Sequence, residues 1–239
     1  KDGSLVRLSE YKWVEAKPSL QKNCEHSLIV RRLGLQDYEP IWKTMRYLAE
    51  HPNASRGDEI WLLSHKPIFT LGQAADRSNV LNAGDIPVVN IDRGGQVTYH
   101  GPGQLVAYVL LDVKKRKMGV RELVTKLENS MVNALSAFNI EAKTIPRSPG
   151  VYVKNAKIGA LGLRIKNGRS YHGLSLNVDM DLSPFGRINP CGFKDLAVTQ
   201  VVDHVLKKES LIRDFSNVLS DSLLEELGYY AYYRSKTAN

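Results

Sequence analysis

Cys191 stands in the tetrapeptide Asn189-Pro190-Cys191-Gly192, a setting unlike that of a structural cysteine. Buried cysteines ordinarily sit in apolar helices or strands. Here a proline and a glycine bracket the residue, so the backbone turns and the thiol can project. A free thiol of pKa about 8.5 is only a few per cent thiolate at neutral pH, so a cysteine nucleophile needs a cation or a base beside it. Lys157, His100 and His172 are the candidates, and their spacing does not rank them. Two plainer readings stay open: Cys191 as a small buried hydrophobe, and Lys157 as a solvated hairpin lysine.

A second stretch carries the marks of a binding surface. Arg93-Gly94-Gly95-Gln96-Val97-Thr98-Tyr99-His100-Gly101-Pro102-Gly103-Gln104 holds four glycines and one proline in twelve residues, with polar side chains between them. Glycine lets the backbone approach a ligand closely or adopt φ > 0, and proline fixes φ between two such positions. The alternative is a glycine-rich hairpin that only reverses the chain. Arg93 is a candidate anion ligand or a partner for Asp92 or Asp85. No Walker-type sequence is present, and the glycine spacing does not match the dinucleotide fingerprint.

These residues need elements to hold them. Ser27–Leu33, Glu59–Ser64, Pro67–Thr70, Val88–Ile91 and Leu105–Val113 read as strands or extended pieces. Arg93–Gln104 reads as the loop between the last two. Asp37–His51 reads as a helix with an early-turn proline at Pro40, and Trp42 on it as core. Val120, Leu123, Val124, Leu127, Met131, Leu135 and Phe138 line one face of a helix over Val120–Phe138, and Leu211–Leu227 repeats the pattern. Glu141–Ile145 and Gly150–Val153 are short extended segments. Lys157–Ile165 and Arg169–Val178 flank Asn167-Gly168, the strongest short hairpin signal. Gly159, Gly162 and Gly173 interrupt that hairpin and suggest a ligand lying across it. His172 reads as a structural histidine, and so does His65. The expected class is α/β (α+β), with mixed sheets and flanking helices.

Length and composition set the bounds. The 239 residues suit one large domain or two small ones, and 43% hydrophobic with 24% charged residues is ordinary globular composition. Residues 1–26 are polar and poorly periodic, so they read as an N-terminal extension outside the main core, with 27–239 as a single catalytic domain. Cys24 and His26 fall in the extension and carry no signal. No apolar run approaches the roughly 20 residues of a membrane span, and Lys1-Asp2-Gly3-Ser4 shows no signal peptide. Two cysteines without metal-ligand spacing imply a reducing, cytoplasmic setting and no structural zinc. The net charge of +8 draws acidic partners, and Lys114-Lys115-Arg116-Lys117 is its densest cluster.

Taken together, the motifs resemble a family. Arg93–Gln104 is similar to the signature of the bacterial octanoyltransferases, the lipoyl(octanoyl) transferases also called lipoate-protein ligase B. Gly150-Val151-Tyr152-Val153, Lys157-Ile158-Gly159-Ala160-Leu161-Gly162 and Tyr171-His172-Gly173-Leu174-Ser175-Leu176-Asn177-Val178 resemble its second and third blocks, and Asn189–Gly192 its cysteine block. The likeness runs from about Ser27 to Phe193. It implies the α/β fold shared with biotin protein ligases and lipoate ligases. It implies an acyl-thioester on Cys191 and a pKa-lowering role for Lys157. Acyl-substrate binding falls to Arg93, Gly94, Gly95, Gln96, Val97, Thr98, Tyr99, His100, Ala160, Leu161, Gly162, Gly173, Leu174 and Ser175. The implied reaction moves octanoyl from octanoyl-acyl carrier protein onto a lysine of lipoyl domains, such as those of 2-oxoacid dehydrogenases and the glycine cleavage H protein. The donor is already activated and carries its own phosphopantetheine, so neither ATP nor a metal is expected.

Two alternatives differ in what they leave unused. A lipoate or biotin ligase would adenylate a free acid with ATP and would not need Cys191. A basic nucleic-acid-binding protein would use the charge and Lys114–Lys117 but not Cys191 or the glycine hairpin, and no nucleic-acid motif is present.

Overall fold

The computed structural model describes residues 5–18, 27–54, 57–194, 196–206 and 209–231. In chain order the elements are β1 (Trp13–Pro18), β2 (Leu28–Gln36), α1 (Tyr38–Glu50), β3 (Asp58–His65), β4 (Ile68–Leu71), β5 (Val88–Asn90), β6 (Val97–His100), β7 (Gln104–Leu110), α2 (Val120–Ser136), β8 (Lys143–Ile145), β9 (Ser148–Val153), β10 (Ala156–Lys166), β11 (Arg169–Asn177), α3 (Leu211–Leu227) and β12 (Tyr229–Ala231). A nine-stranded sheet runs β12-β1-β2-β3-β7-β11-β10-β9-β8, and a three-stranded sheet runs β5-β4-β6. Both are mixed: β2 with β3 and β4 with β5 are parallel, and the remaining pairs antiparallel.

The central strands are apolar on consecutive residues because both faces of the large sheet are covered. Ile60 and Leu62 of β3, with Leu105, Ala107 and Val109 of β7, face the main core. That core also holds Leu123, Leu127 and Met131 of α2 and Phe215, Leu219 and Leu223 of α3. The alternate residues Trp61, Leu63, Val106 and Tyr108 join Ile41, Met45 and Leu48 of α1 in a second cluster on the opposite face. A two-residue period along the strands thus feeds two different layers.

The β10–β11 turn follows its sequence signal. Asn167 and Gly168 have φ of 51° and 78°, the pair of left-handed positions that a two-residue Asn-Gly turn requires. Gly228 closes α3 at φ 89°.

Two expectations are corrected. Residues 13–18 are not outside the core: β1 pairs β2 on one side and β12 on the other, and Ala16 is fully buried in the main cluster. Val6 N–H also donates to Thr44 Oγ1 of α1 at 2.8 Å. A single edge-proximal strand with one buried side chain has no periodicity to detect. Cys24 and His26 lie outside the described residues. The stretch 93–104 is not wholly loop either, because Val97–His100 form β6 against β4. Valine, threonine and tyrosine favour a strand even between glycine turns.

Candidate active site

Cys191 and Lys157 reach one point from two separate elements. Pro190–Gly192 is a single 3-10 turn in which Cys191 takes φ 58°, ψ 16°. A non-glycine residue is uncommon there, and such conformations persist where the surroundings enforce them. The enforcement is visible. Asn189 N–H donates to Asn79 O at 2.8 Å, the Asn189 side-chain amide donates to Asn79 Oδ1 at 3.2 Å, and Ile188 bridges Val80.

Lys157 is clamped near the start of β10. Its N–H donates to Ala197 O at 2.8 Å and its carbonyl accepts from Thr199 N–H at 3.0 Å. The register against β9 shifts between Lys157 and Gly159. The side chain then crosses Gly150, whose φ is 124°; a Cβ there would stand 2.6 Å from Lys157 Cε. This buried amine lies 5.3 Å over the Tyr152 ring and donates to Cys191 Sγ at 3.0 Å.

A cleft of about 280 Å³ opens beside the pair. Its walls carry Arg93, Gly95, Gln96, Val97, Thr98 and His100 from the glycine-rich stretch, Ala160, Leu161 and Gly162 from β10, and Gly173, Leu174 and Ser175 from β11. Gly94 and Tyr99 are placed elsewhere. Gly94 N–H donates to Leu163 O at 3.0 Å, and Tyr99 packs with Phe69 and Phe185 in a third apolar cluster. Arg93 pairs with neither Asp92 nor Asp85. Its buried guanidinium donates to Thr70 O, Thr70 Oγ1 and Gly94 O at 2.8, 3.0 and 2.9 Å, and so braces the loop from within. Burial pushes Arg93 below the ordinary arginine range.

The hairpin glycines serve protein contacts. A Cβ at Gly173 would strike the Ala107 carbonyl, one at Gly159 would lie 2.7 Å from Met131 Sδ, and one at Gly162 would lie 2.9 Å from Gly94 O. Gly162 and Gly173 line the cleft, and the missing side chains at all three positions let β7, α2 and the glycine-rich loop approach.

The histidines separate. His65 Nε2 meets Tyr108 OH at 2.7 Å, a structural role. His100 Nδ1 meets Gln104 Oε1 at 2.8 Å, and Gln104 donates on to Tyr99 O and Asn177 Oδ1. Burial lowers His65 to about 4 and His100 to about 3. His172, in mid-strand at φ 61°, bonds Asp92 and lines the cleft. Tyr38, Val106, Tyr108, Arg147 and Phe193 also line it. Sequence reasoning missed Tyr38 and Tyr108 because a tyrosine on a helix or a buried strand reads as core. Arg147 and Phe193 belong to turns whose direction only the fold reveals. Lys114–Lys117 fall at the other end: Lys114 N–H donates to Gly168 O in the turn just after Lys166, which lies nine residues along β10 from Lys157 and thus about 30 Å away. Arg116 there is engaged with Asp58 at 2.6 Å.

The lipoyl protein ligase A/B catalytic domain matches residues 37–224. An octanoyltransferase of Vibrio atlanticus (strain LGP32) is 53% identical over 205 residues, 86% of this chain and 93% of that protein. The chain belongs to the octanoyltransferase family. An octanoyltransferase of Hahella chejuensis (strain KCTC 2396) is 58% identical over 179 residues, 75% of this chain and 80% of that protein. Among solved structures, a lipoate-protein ligase A bound with ATP superposes with TM-score 0.65 at 16% identity, covering 88% of each chain. A bi-partite lipoate protein ligase from Thermoplasma acidophilum gives 0.60 at 17%, covering 87% of each. At such identities these two show the fold alone, and it is the α/β lipoate-ligase fold expected from the motifs. The family makes this chain an acyltransferase. Among the described residues, no helix is long and apolar enough to cross a membrane.

Proposed function

We propose that this octanoyltransferase moves octanoyl from octanoyl-acyl carrier protein to a lysine of a lipoyl domain through a thioester on Cys191. The observation that carries the reading is the 3.0 Å contact between Lys157 Nζ and Cys191 Sγ at the wall of an apolar cleft. Cys191 thiolate attacks the donor carbonyl, the carbon–sulfur bond to the carrier breaks, and the departing sulfur takes a proton from Lys157. The acceptor lysine's amine then attacks the Cys191 thioester. An amide forms, the Cys191 sulfur leaves, and Lys157 takes the proton that the amine gives up. Thioester and amine become amide and thiol, with one nucleophile dividing the transfer into two steps.

The cleft fits the acyl group. A cavity of about 150 Å³ already accepts benzene, and this one is about 280 Å³. Exposed Arg147 and half-exposed Phe193 on its rim suit an acidic carrier with an apolar contact. The reaction needs neither ATP nor a metal, because the donor thioester is already activated. The cytoplasm is the compartment that keeps such a thiol reduced. Intact mass after incubation with octanoyl-acyl carrier protein, without ATP, tests the reading. The expected result is a gain of one octanoyl group that is absent in Cys191→Ala. An adduct that persists in that variant, or an absolute need for ATP, would overturn it.

A further inference from the structure

Asp92 organises one wall of the cleft without lining it. Its carboxylate accepts from Trp42 Nε1 at 2.8 Å, Tyr171 OH at 2.5 Å and His172 Nε2 at 3.0 Å. Burial alone would raise this carboxyl, but the three donors outweigh it and hold Asp92 well below the usual carboxylate range. A carboxylate only accepts, so the His172 proton belongs on Nε2 and Nδ1 keeps its lone pair. Burial pushes His172 below the ordinary imidazole range, which keeps the ring neutral.

That lone pair is an anomaly. Nδ1 of His172 is buried and has no hydrogen-bond partner. Buried acceptors are paired in the great majority of cases, so an unpaired one calls for an explanation, and a bound group that supplies the partner is one. The residue also holds φ 61° opposite Leu163 in an antiparallel pair, a conformation with a backbone cost. Strand geometry gives its depth. His172 lies three residues along β11 from Ser175, about 10 Å at roughly 3.3 Å per residue. Ser175 lines both the cleft and the small cavity behind Cys191. Seven carbon–carbon bonds of about 1.5 Å in a zigzag reach about 9 Å. An acyl chain that starts beside Ser175 and runs along β11 therefore ends at the level of His172.

We propose that His172 Nδ1 is an acceptor for the far end of the acyl group, so that the cleft takes eight-carbon chains carrying a terminal hydroxyl as well as the plain alkyl chain. The proposal rests on the acyl-cleft reading above and makes His172 a specificity residue, not a participant in the covalent steps. Asp92 fixes the ring so that the acceptor atom stays available.

The test uses the full chain and free acids, so it does not depend on transfer. Titration with 8-hydroxyoctanoic acid and with octanoic acid, followed by calorimetry and by the ¹⁵N resonances of the imidazoles, should give tighter binding of the hydroxy acid by roughly three- to tenfold, the worth of one hydrogen bond. The His172 Nδ1 resonance should move with the hydroxy acid and stay with octanoic acid. His172→Asn, chosen because asparagine tolerates left-handed backbone, should lose the preference. Equal affinities with an unmoved Nδ1 resonance in the wild-type protein would overturn the proposal, whatever the variant does. If octanoic acid perturbs the cleft yet no octanoyl transfer occurs, the reaction proposed above fails and the acceptor site is judged on its own data. If neither acid binds, both fall.

Discussion

Lys157 Nζ donates to Cys191 Sγ across 3.0 Å although 34 residues separate them in the chain. The contact joins a strand residue fixed by two backbone bonds to a cysteine fixed in a left-handed turn. Lys157→Met should therefore slow alkylation of Cys191 by iodoacetamide at neutral pH by about tenfold or more, the scale on which a neighbouring cation acts. Lys157→Arg should keep fast alkylation yet acylate poorly in a single turnover, because a guanidinium cannot release the proton that the leaving sulfur needs. Normal alkylation and acylation in Lys157→Met would remove the residue from the mechanism.

Gly150 makes that contact possible. A methyl group there would stand 2.5 Å from Gly159 O and 2.6 Å from Lys157 Cε, at a φ of 124°. Gly150→Ala is expected to displace the lysine, to slow Cys191 alkylation as Lys157→Met does, and to cost about 1–3 kcal/mol of stability. Unchanged alkylation in a folded Gly150→Ala protein would show that the lysine has another route to the sulfur.

The N-terminal strand belongs to the folding unit. Ala16 is fully buried between β2 and β12, and its side chain joins the main core. Ala16→Asp should destabilise by roughly 3 kcal/mol or more, since it buries an unpaired carboxylate. Deleting residues 1–18 should lower the melting temperature and abolish activity with it. A deletion variant that melts like the full chain would return the segment to the status of an appendage.

How much could be read beforehand varies with what carried the signal. The helices were legible because Leu123, Leu127 and Met131, or Leu211, Phe215 and Leu219, repeat at helical spacing and bury that face. The β10–β11 hairpin was legible because Asn167-Gly168 is specified by backbone conformation alone. β1 and β12 were not: β1 buries a single side chain, and β12 finds its partner at the opposite end of the chain. At the site, Cys191 and Lys157 stood out by residue type and motif. Gly150, Tyr38, Tyr108 and the Asp92–His172 contact depend on which strands become neighbours, and no local pattern encodes that.

Buried histidines make stability depend on pH, and burial pushes His172 in the same direction as His65 and His100. Burial lowers His65 to about 4 and His100 to about 3, against 6.5 when unfolded. Between those values the unfolded chain binds protons that the native state refuses, so stability is full above about 6.5 and falls as pH drops through the window. Chemical denaturation should show a plateau near neutrality and a steady loss from pH 6.5 towards 4. His65→Gln should flatten part of that slope. A slope identical to wild type would assign the acid sensitivity to other groups.

The acyl cleft can be probed at two neighbouring positions with opposite expectations. Gly162 borders the cleft, but a Cβ there meets Gly94 O at 2.9 Å and Arg93 Cδ at 3.1 Å before it meets any acyl chain. Gly162→Val should therefore push the glycine-rich loop off β10, cost about 1–3 kcal/mol, and depress turnover of butyryl and octanoyl thioesters alike. Ala160 already carries a Cβ, lines both the cleft and the small cavity behind Cys191, and is only half-buried. Ala160→Phe should fill cleft volume without moving backbone. Octanoyl transfer should then fall by about tenfold more than butyryl transfer, because the long chain must thread past the ring and fill the cleft beyond it, where overpacking costs on the order of 1–3 kcal/mol, while a short chain leaves the cleft free to accommodate the ring. The ratio of the two rates in each folded variant decides the matter. A chain-length dependence in Gly162→Val that is missing in Ala160→Phe would mean that the acyl group runs along the loop side of β10 and not beside Ala160.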